Sequence, residues 1–224
     1  MSNIFYFGEN VSGYNIRVLN EREIRAGAGL LFVLMFVSIM LAITNAEFTL
    51  LKYAVMIFLA DMLIRVVVNP KYSPVLILGR FIVRNQVPEY VGAVQKKFAW
   101  VIGVTLGSTM FVLINLMNTF SVITGLICMI CLIFLFFESA FGICLGCKFY
   151  SWMYKEKAQY CPGEVCEIKD RQEIQRTNLA QWIVVISFVA YIVSLVYFLN
   201  DSFKIPPREL FSGKSIEEMQ QEQQ

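Results

Sequence analysis

All six cysteines of the sequence fall into three closely spaced pairs: Cys128 with Cys131, Cys144 with Cys147, and Cys161 with Cys166. Cysteine thiolates attack disulfides and bind soft metal ions, so this clustering predicts thiol exchange or metal binding. No histidine is present. Its absence excludes Ser-His-Asp and Cys-His catalysis, and also zinc or haem sites built on histidine.

The second pair occupies the position where a long apolar stretch ends. Gly142 and Gly146 flank Cys144, and Lys148 follows Cys147. Glycine permits close approach of the backbone to the thiols, and a neighbouring lysine favours the reactive thiolate. The Cys-Pro-Gly turn that begins at 161 is expected to bring the third pair back toward the second.

Two interpretations of these four thiols remain open. Cys144, Cys147, Cys161 and Cys166 resemble, loosely, the ligand spacing of a zinc or iron–sulfur site. Alternatively, the pair at the helix end exchanges disulfide, electrons or sulfane sulfur with the pair in the loop, and all four are then catalytic. A static disulfide is disfavoured if the cysteines face a reducing compartment.

Further polar groups stand within apolar stretches. Cys128, Cys131 and Glu138 share a helix face, and the two thiols are interpreted as packing groups. Asp61 and Arg65 are four residues apart. They predict either a structural ion pair or a polar site and proton path shared with Glu138, because a charge inside a membrane span needs a partner or a role.

The composition indicates that most of the chain lies in lipid. It is 57% hydrophobic and only 16% charged, whereas soluble domains carry about 25% charged residues. The net charge of +2 gives no reason to expect nucleic acid as a partner. Membrane lipid is the expected surrounding.

Five stretches have the roughly 20 mostly apolar residues that a spanning helix needs. The fold class predicted is an all-α membrane protein, a bundle of five transmembrane helices with a four-helix core plus one. The predicted spans are 26–45, 48–68, 98–118, 120–143 and 179–199.

Lysine and arginine flank the spans in alternation, which predicts their orientation. They are frequent before the first span and in the second and fourth loops, sparse in the first loop and absent from the third. The amino terminus is therefore expected in the cytoplasm and the carboxyl terminus outside. The predicted segments are a cytoplasmic amino-terminal segment (1–25), the four-helix core (26–150), a cysteine-containing cytoplasmic loop (151–178), the fifth helix (179–199) and a polar tail (200–224).

The second loop contains a further apolar stretch. Residues 74–85 place Ile77 and Phe81 on one face and Arg80 with Arg84 on another. This pattern predicts an amphipathic helix that lies at the cytoplasmic interface of the membrane.

Five stretches of this chain together resemble a bacterial membrane family catalogued as domain of unknown function 4395. They are NEREIRAGAG at 20–29, NPKYSP at 69–74, GAVQKKFAWVIG at 92–103, ESAFGICLGCKFY at 138–150 and CPGEVC at 161–166. The resemblance implies an inner-membrane location and four core spans that end at the Cys144–Cys147 motif, with the span at 179–199 as an addition. Some related chains accompany sulfur-transfer or thioredoxin-like proteins.

The leading functional hypothesis is cysteine-dependent thiol redox or sulfur-transfer chemistry at the cytoplasmic face. Cys144 and Cys147 form the exchanging pair, Cys161 and Cys166 relay or resolve it, and a soluble thioredoxin-like or sulfur-transfer protein is the expected partner. One alternative is a transporter of a small sulfur-containing or anionic solute that uses the intramembrane charges. Another is a structural metal-bearing membrane subunit.

Overall fold

The structure of the chain is a computed structural model that describes residues 7–11, 16–146, 177–205 and 208–209. The predictions for Cys147, Cys161 and Cys166 fall outside these residues, as does most of the loop at 151–178 and of the tail at 200–224. Cys144 is the one member of the predicted four-thiol group that lies within the described part of the chain.

Helices dominate the described chain, and short strand pairs join their ends. The α-helices are α1 (Glu21–Asn45), α2 (Thr49–Leu63), α3 (Pro74–Ile82), α4 (Ala93–Met110), α5 (Val122–Phe141) and α6 (Leu179–Lys204). Two π-helical segments continue α2 and α4, Ile64–Val68 and Phe111–Leu116, and a 3-10 turn occupies Pro70–Tyr72. The strands are β1 (Val18–Asn20), β2 (Tyr90–Gly92), β3 (Thr119–Phe120) and β4 (Arg208–Glu209).

Four helices of the described chain are long and apolar enough to cross a membrane: α1, α4 with its π-helical continuation, α5 and α6. This finding is compatible with a multi-pass membrane protein. The second predicted span, 48–68, differs, because its α-helical part α2 has only 15 residues before the backbone widens into the π-helix.

Helix α1 begins earlier than the predicted span because Asn20 caps it. The Asn20 side chain accepts a hydrogen bond from the Arg22 backbone N–H at 3.2 Å, as helix N-caps do. Glu21 and Glu23 occupy the first turn, where carboxylates are favoured by the helix dipole. The charged first turn therefore belongs to the helix and can reach the bundle interior.

Antiparallel pairing of β1 with β2 holds the beginnings of α1 and α4 at one end of the bundle. At the beginning of α6, the Gln181 side chain donates to the backbone oxygen of Lys71 at 2.9 Å, so the end of the second helical stretch lies there too. Helix α5 also ends here, one turn before Cys144. We call this the Cys144 end.

Parallel pairing of β3 with β4 joins the α4–α5 connection to the chain that follows α6. Lys52 lies at this opposite end, which we call the Lys52 end. Its buried ammonium donates to the backbone oxygens of Phe203 at 3.3 Å and Ile205 at 2.8 Å. A lysine at a helix C-terminus satisfies carbonyls that have no partner within the helix. The long helices α1, α2, α4, α5 and α6 thus alternate in direction along the chain.

Helix α1 is the centre of the packing and contacts α5, α3 and α2. Its buried face carries Leu31, Met35 and Ile39, spaced four residues apart, which face Phe58 and other apolar groups of the same cluster. Burial of this stripe holds α5 and α3 in place on either side of α1.

Helix α3 lies within the predicted stretch at 74–85, but its faces differ from the prediction. Ile77 is buried, whereas Phe81 is 47% exposed. Arg80 was expected on a polar face with Arg84, and it is instead buried beside Glu23, with an N–O distance of 3.0 Å. That assignment was wrong because α3 lies directly on α1.

Gly79 makes this close approach possible. A Cβ atom at position 79 would lie 2.6 Å from the backbone oxygen of Glu23 and 3.1 Å from the backbone nitrogen of Gly27. We expect Gly79→Ala to lower the free energy of unfolding by about 1–3 kcal/mol, because backbone must shift to relieve the overlap. Unfolding in detergent micelles measures the change.

Gly125→Ala in α5 is the matched control for this prediction. Among the described residues, no atom outside the chain neighbours and the helix's own backbone lies within 4 Å of a Cβ atom built at position 125. Alanine there should therefore raise stability by up to about 1 kcal/mol through helix propensity. Equal effects of the two substitutions would contradict the close α1–α3 contact.

Candidate functional site

A small cavity of about 40 Å³ lies between α2, α4 and α5 near the Cys144 end. Two thiols and one carboxyl group line it, Cys131, Cys144 and Glu138, and the other lining residues are largely apolar or aromatic. Those others are Phe58, Met62, Ala99, Trp100, Gly103, Leu106, Phe134, Leu135, Leu145 and Gly146. The volume suffices for water or another small polar group beside the thiols.

The end of α5 turns Cys144 into this cavity. Gly142 has a left-handed backbone with φ of 65°, and its N–H donates to the backbone oxygen of Glu138 at 3.2 Å. The N–H of Ile143 donates to the backbone oxygen of Phe137 at 3.0 Å. This pair of bonds is the usual glycine termination of a helix, and it reverses the chain direction directly before Cys144.

Close contact of Gly146 with α4 completes the placement of Cys144. A Cβ atom at position 146 would lie 2.6 Å from the Cβ of Ala99. The guanidinium of Arg25 packs against Gly142 from α1 and donates to the backbone oxygen of Ala140 at 3.3 Å. The two glycines singled out in the sequence therefore bring the Cys144 segment against α4 and α1.

Glu138 is held by a buried charged triad that joins three helices. The Lys96 ammonium lies 2.6 Å from Glu138 Oε1 and 2.8 Å from Glu21 Oε2. Lys96 and Glu21 are almost completely buried, whereas the Glu138 side chain is 14% exposed and lines the cavity. One lysine of α4 thus binds carboxylates of both α1 and α5.

This arrangement has a clear chemical consequence for Glu138. Burying an isolated carboxylate is costly, and an ammonium at hydrogen-bond distance offsets that cost. Glu138 also lines the cavity that contains Cys144. The carboxylate is therefore available as a proton acceptor for a group in the cavity, subject to the orientation that Lys96 imposes.

Asp61 and Arg65 form the ion pair that their spacing predicts, with an N–O distance of 2.5 Å. Both are fully buried. Asp61 also accepts from the Ser73 hydroxyl at 2.6 Å and from the Val75 N–H at 3.0 Å, and Arg65 Nε donates to Ser73 at 3.2 Å. These bonds fix the corner between the second helical stretch and α3.

The ion pair and the cavity meet at one aromatic ring. The Arg65 guanidinium lies 5.3 Å from the centroid of Trp100, and Trp100 lines the cavity with Glu138. The hydrogen-bond partners of Asp61 belong to the α3 corner, whereas those of Glu138 belong to the triad. The predicted polar residues are thus distributed over two neighbouring groups.

Cys128 and Cys131 are both buried, in agreement with a packing role, but they line different cavities. Cys131 shares its cavity with Cys144. No disulfide joins any two of the three described cysteines. Within the described residues no group of three or more cysteine, aspartate or glutamate side chains is arranged to hold a metal ion. Three of the four predicted metal ligands lie outside those residues.

Lys96 and Glu21 are functional candidates that the sequence reasoning missed. Lys96 was counted as a loop charge that sets orientation, and Glu21 was assigned to the segment before the first span. A signal was present, because the triad members occur in three of the stretches that carry the family resemblance, at 20–29, 92–103 and 138–150.

Comparison with known proteins identifies the family. No curated protein and no solved structure matches the chain. A family model described as "Domain of unknown function (DUF4395)" matches residues 19–155. The match covers α1 through Cys144 and ends before α6. The chain belongs to this family.

Proposed function

We propose that the protein crosses the bacterial inner membrane five times, with its amino terminus in the cytoplasm. Support for the fifth crossing comes from α2 and its π-helical continuation, which together run without a break from Thr49 to Val68. The lysine and arginine alternation supports the orientation. Helix α3 then lies at the cytoplasmic interface, with Phe81 and Ile82 exposed to the lipid head-group region.

At the cytoplasmic end, we propose thiol redox or sulfur-transfer chemistry centred on Cys144. The observation that carries the proposal is the shared cavity, which is lined both by Cys144 and by a carboxylate that is held in place by Lys96. Buried lysine–glutamate pairs also occur as purely structural elements. Here one member of the pair, Glu138, is not fully enclosed, and it lines the same cavity as the half-buried Cys144.

In the proposed reaction, Glu138 accepts the proton of the Cys144 thiol. The thiolate then attacks one sulfur of a disulfide or persulfide, forming a new S–S bond and releasing the other sulfur as thiolate. Cys147 resolves the mixed disulfide by attacking Cys144, which leaves an oxidised Cys144–Cys147 pair and a reduced partner. Cys161 and Cys166 return electrons to this pair from a soluble thioredoxin-like or sulfur-transfer protein.

The proposal predicts that Glu138→Gln slows the reaction of Cys144 with a soluble disulfide. The experiment uses a variant that retains Cys144 and has serine at the other five cysteine positions. General-base catalysis contributes about 100-fold or more, so we expect a decrease of at least about tenfold near neutral pH. Release of the chromophoric thiol from an aromatic disulfide reagent measures the rate.

Glu89→Gln is the matched control, because Glu89 pairs with Arg22 at the same end of the bundle but does not line the cavity. Its rate should equal that of the parent variant. If Glu138→Gln retains a folded, helical state and reacts as fast as the Glu89→Gln control, Glu138 is not the proton acceptor.

A further inference from the structure

A second, larger cavity of about 280 Å³ lies nearer the Lys52 end, between α1, α2, the π-helix of α4 and α5. Its polar side chains are Ser121, Thr124 and Cys128 on the α5 side. The remaining lining residues are Ile39, Ala42, Ile43, Phe48, Leu51, Ile114, Phe120, Gly125 and Met129. Ile43 and Met129 are exposed at the surface, so the cavity opens toward the proposed lipid phase.

Gly125 lines this cavity on its open side and is itself exposed. A glycine within a helix is usually explained by close contact with a neighbouring element. At position 125, however, no atom of the described residues outside the helix's own backbone and the chain neighbours lies within 4 Å of where a Cβ would be. A larger side chain at this position would therefore occupy part of the open space beside the cavity.

One turn of α5 connects the two cavities. Cys128 lies in the wall of the apolar cavity, and Cys131 lies in the wall of the cavity that contains Cys144. The two thiols are three residues apart and both are buried. A pathway for electrons from Cys144 through Cys131 to Cys128 would end at the apolar cavity.

We propose that the apolar cavity binds a lipid-soluble quinone, which accepts electrons from Cys128 and Cys131. This inference rests on the proposed thiol function. A cavity of about 150 Å³ holds benzene, so 280 Å³ is large enough for a substituted quinone ring. Phe48 and Phe120, with centroids 5.8 Å apart, supply aromatic surface. The hydroxyls of Ser121 and Thr124 lie 3.2 Å apart and bond to each other, which leaves one of the two hydroxyl protons to donate to a ring carbonyl.

The reaction balances in two electrons. Cys128 and Cys131 lose two protons and two electrons and form one S–S bond. The quinone takes up the two protons and the two electrons and becomes the quinol. Cys144, in the reduced state that the soluble partner restores through Cys161 and Cys166, then attacks Cys131, forms a Cys131–Cys144 disulfide and releases Cys128 as the thiol. Cβ atoms three residues apart in a helix are about 5–6 Å apart, and a disulfide needs about 3.5–4.5 Å, so the turn tightens during oxidation.

Binding is tested with full-length protein in lipid nanodiscs and decylubiquinone as the probe. Gly125→Leu fills the cavity and should raise the dissociation constant at least about tenfold, whereas Gly125→Ala should change it by less than about threefold. Decylbenzene, which has the same chain and a ring without carbonyls, should compete at least about tenfold more weakly. Binding that Gly125→Leu leaves unchanged, or equal competition by decylbenzene as expected for a lipid-chain site, would overturn the proposal.

Electron transfer is tested by the ultraviolet absorbance of the quinone after the protein thiols have been reduced and the reductant removed. Cys128→Ser should bind the quinone but form no quinol, whereas Cys144→Ser should still deliver one pair of electrons. Quinol formation by Cys128→Ser at the wild-type level would refute the role of this thiol. If quinol forms but Cys144 does not react with soluble disulfides, the proposed function fails while this inference stands.

Discussion

Lys96→Met is expected to lower the free energy of unfolding by about 3–5 kcal/mol, because it leaves buried carboxylates without their ammonium. Lys96 binds Glu21 of α1 and Glu138 of α5 and is almost completely buried itself. Methionine preserves most of the side-chain volume, so the loss of stability reflects the missing charge rather than poorer packing. Equilibrium unfolding in detergent micelles measures it.

Lys97→Met is the control for this substitution, because Lys97 is the next residue but is exposed, with its ammonium 5.3 Å from the centroid of Phe7. An exposed cation–π contact contributes at most about 1 kcal/mol. The double variant Lys96→Met with Glu138→Gln should recover part of the stability, since one carboxylate has become neutral. Similar effects of Lys96→Met and Lys97→Met would contradict the buried triad.

Asp61→Asn is the second substitution with a large expected effect. It keeps the shape of the side chain but leaves the fully buried Arg65 without its counter-ion, which should cost about 3–5 kcal/mol. Ser73→Ala removes a neutral hydroxyl that donates to Asp61 and accepts from Arg65 and from the Leu76 N–H, and it should cost about 1–3 kcal/mol. Thermal unfolding of the wild type, Ser73→Ala and Asp61→Asn in the same detergent gives the order of their stabilities.

This comparison also separates a structural from a transport role for the Asp61–Arg65 pair. The closed set of bonds with Ser73 and Val75 predicts that stability falls in the order wild type, Ser73→Ala, Asp61→Asn. If Asp61→Asn remains as stable as wild type but abolishes solute uptake into proteoliposomes, the pair serves transport and the structural interpretation is wrong.

The direction of the helices was predictable because it depends on charges that are visible in the sequence. The lysine and arginine alternation predicted that the segments before α1 and α4 lie at the same end of the bundle. Pairing of β1 with β2 places them there. The number of spans was less predictable, since α2 ends after 15 residues where the helix widens into a π-turn near Arg65.

The charged triad was not predictable from periodicity. Lys96 and Lys97 are adjacent and chemically identical, and only the packing of α4 against α1 and α5 decides that one is buried and the other exposed. The burial of Arg80 could not be predicted from periodicity either. Its burial depends on the glycine contact between α3 and α1, which brings Glu23 within 3.0 Å.

The cysteine pairs illustrate what the sequence could and could not indicate about the site. Helical spacing correctly grouped Cys131 with Glu138, which line one cavity. It did not reveal that Cys128 lines a different cavity, because three residues along the helix move a side chain about 4.5 Å toward the Lys52 end. The space around Gly125 is likewise a property of three-dimensional packing.

The central claim is that Cys144 undergoes reversible thiol chemistry in the cell. The most direct measurement is differential alkylation in intact cells, before and after reduction, followed by mass spectrometry of the peptide that contains Cys144 and Cys147. We expect a fraction of Cys144 to be oxidised at steady state and to increase when a disulfide stress is applied. Complete alkylation of Cys144 before reduction under every condition, with no phenotype for Cys144→Ser, would contradict the claim.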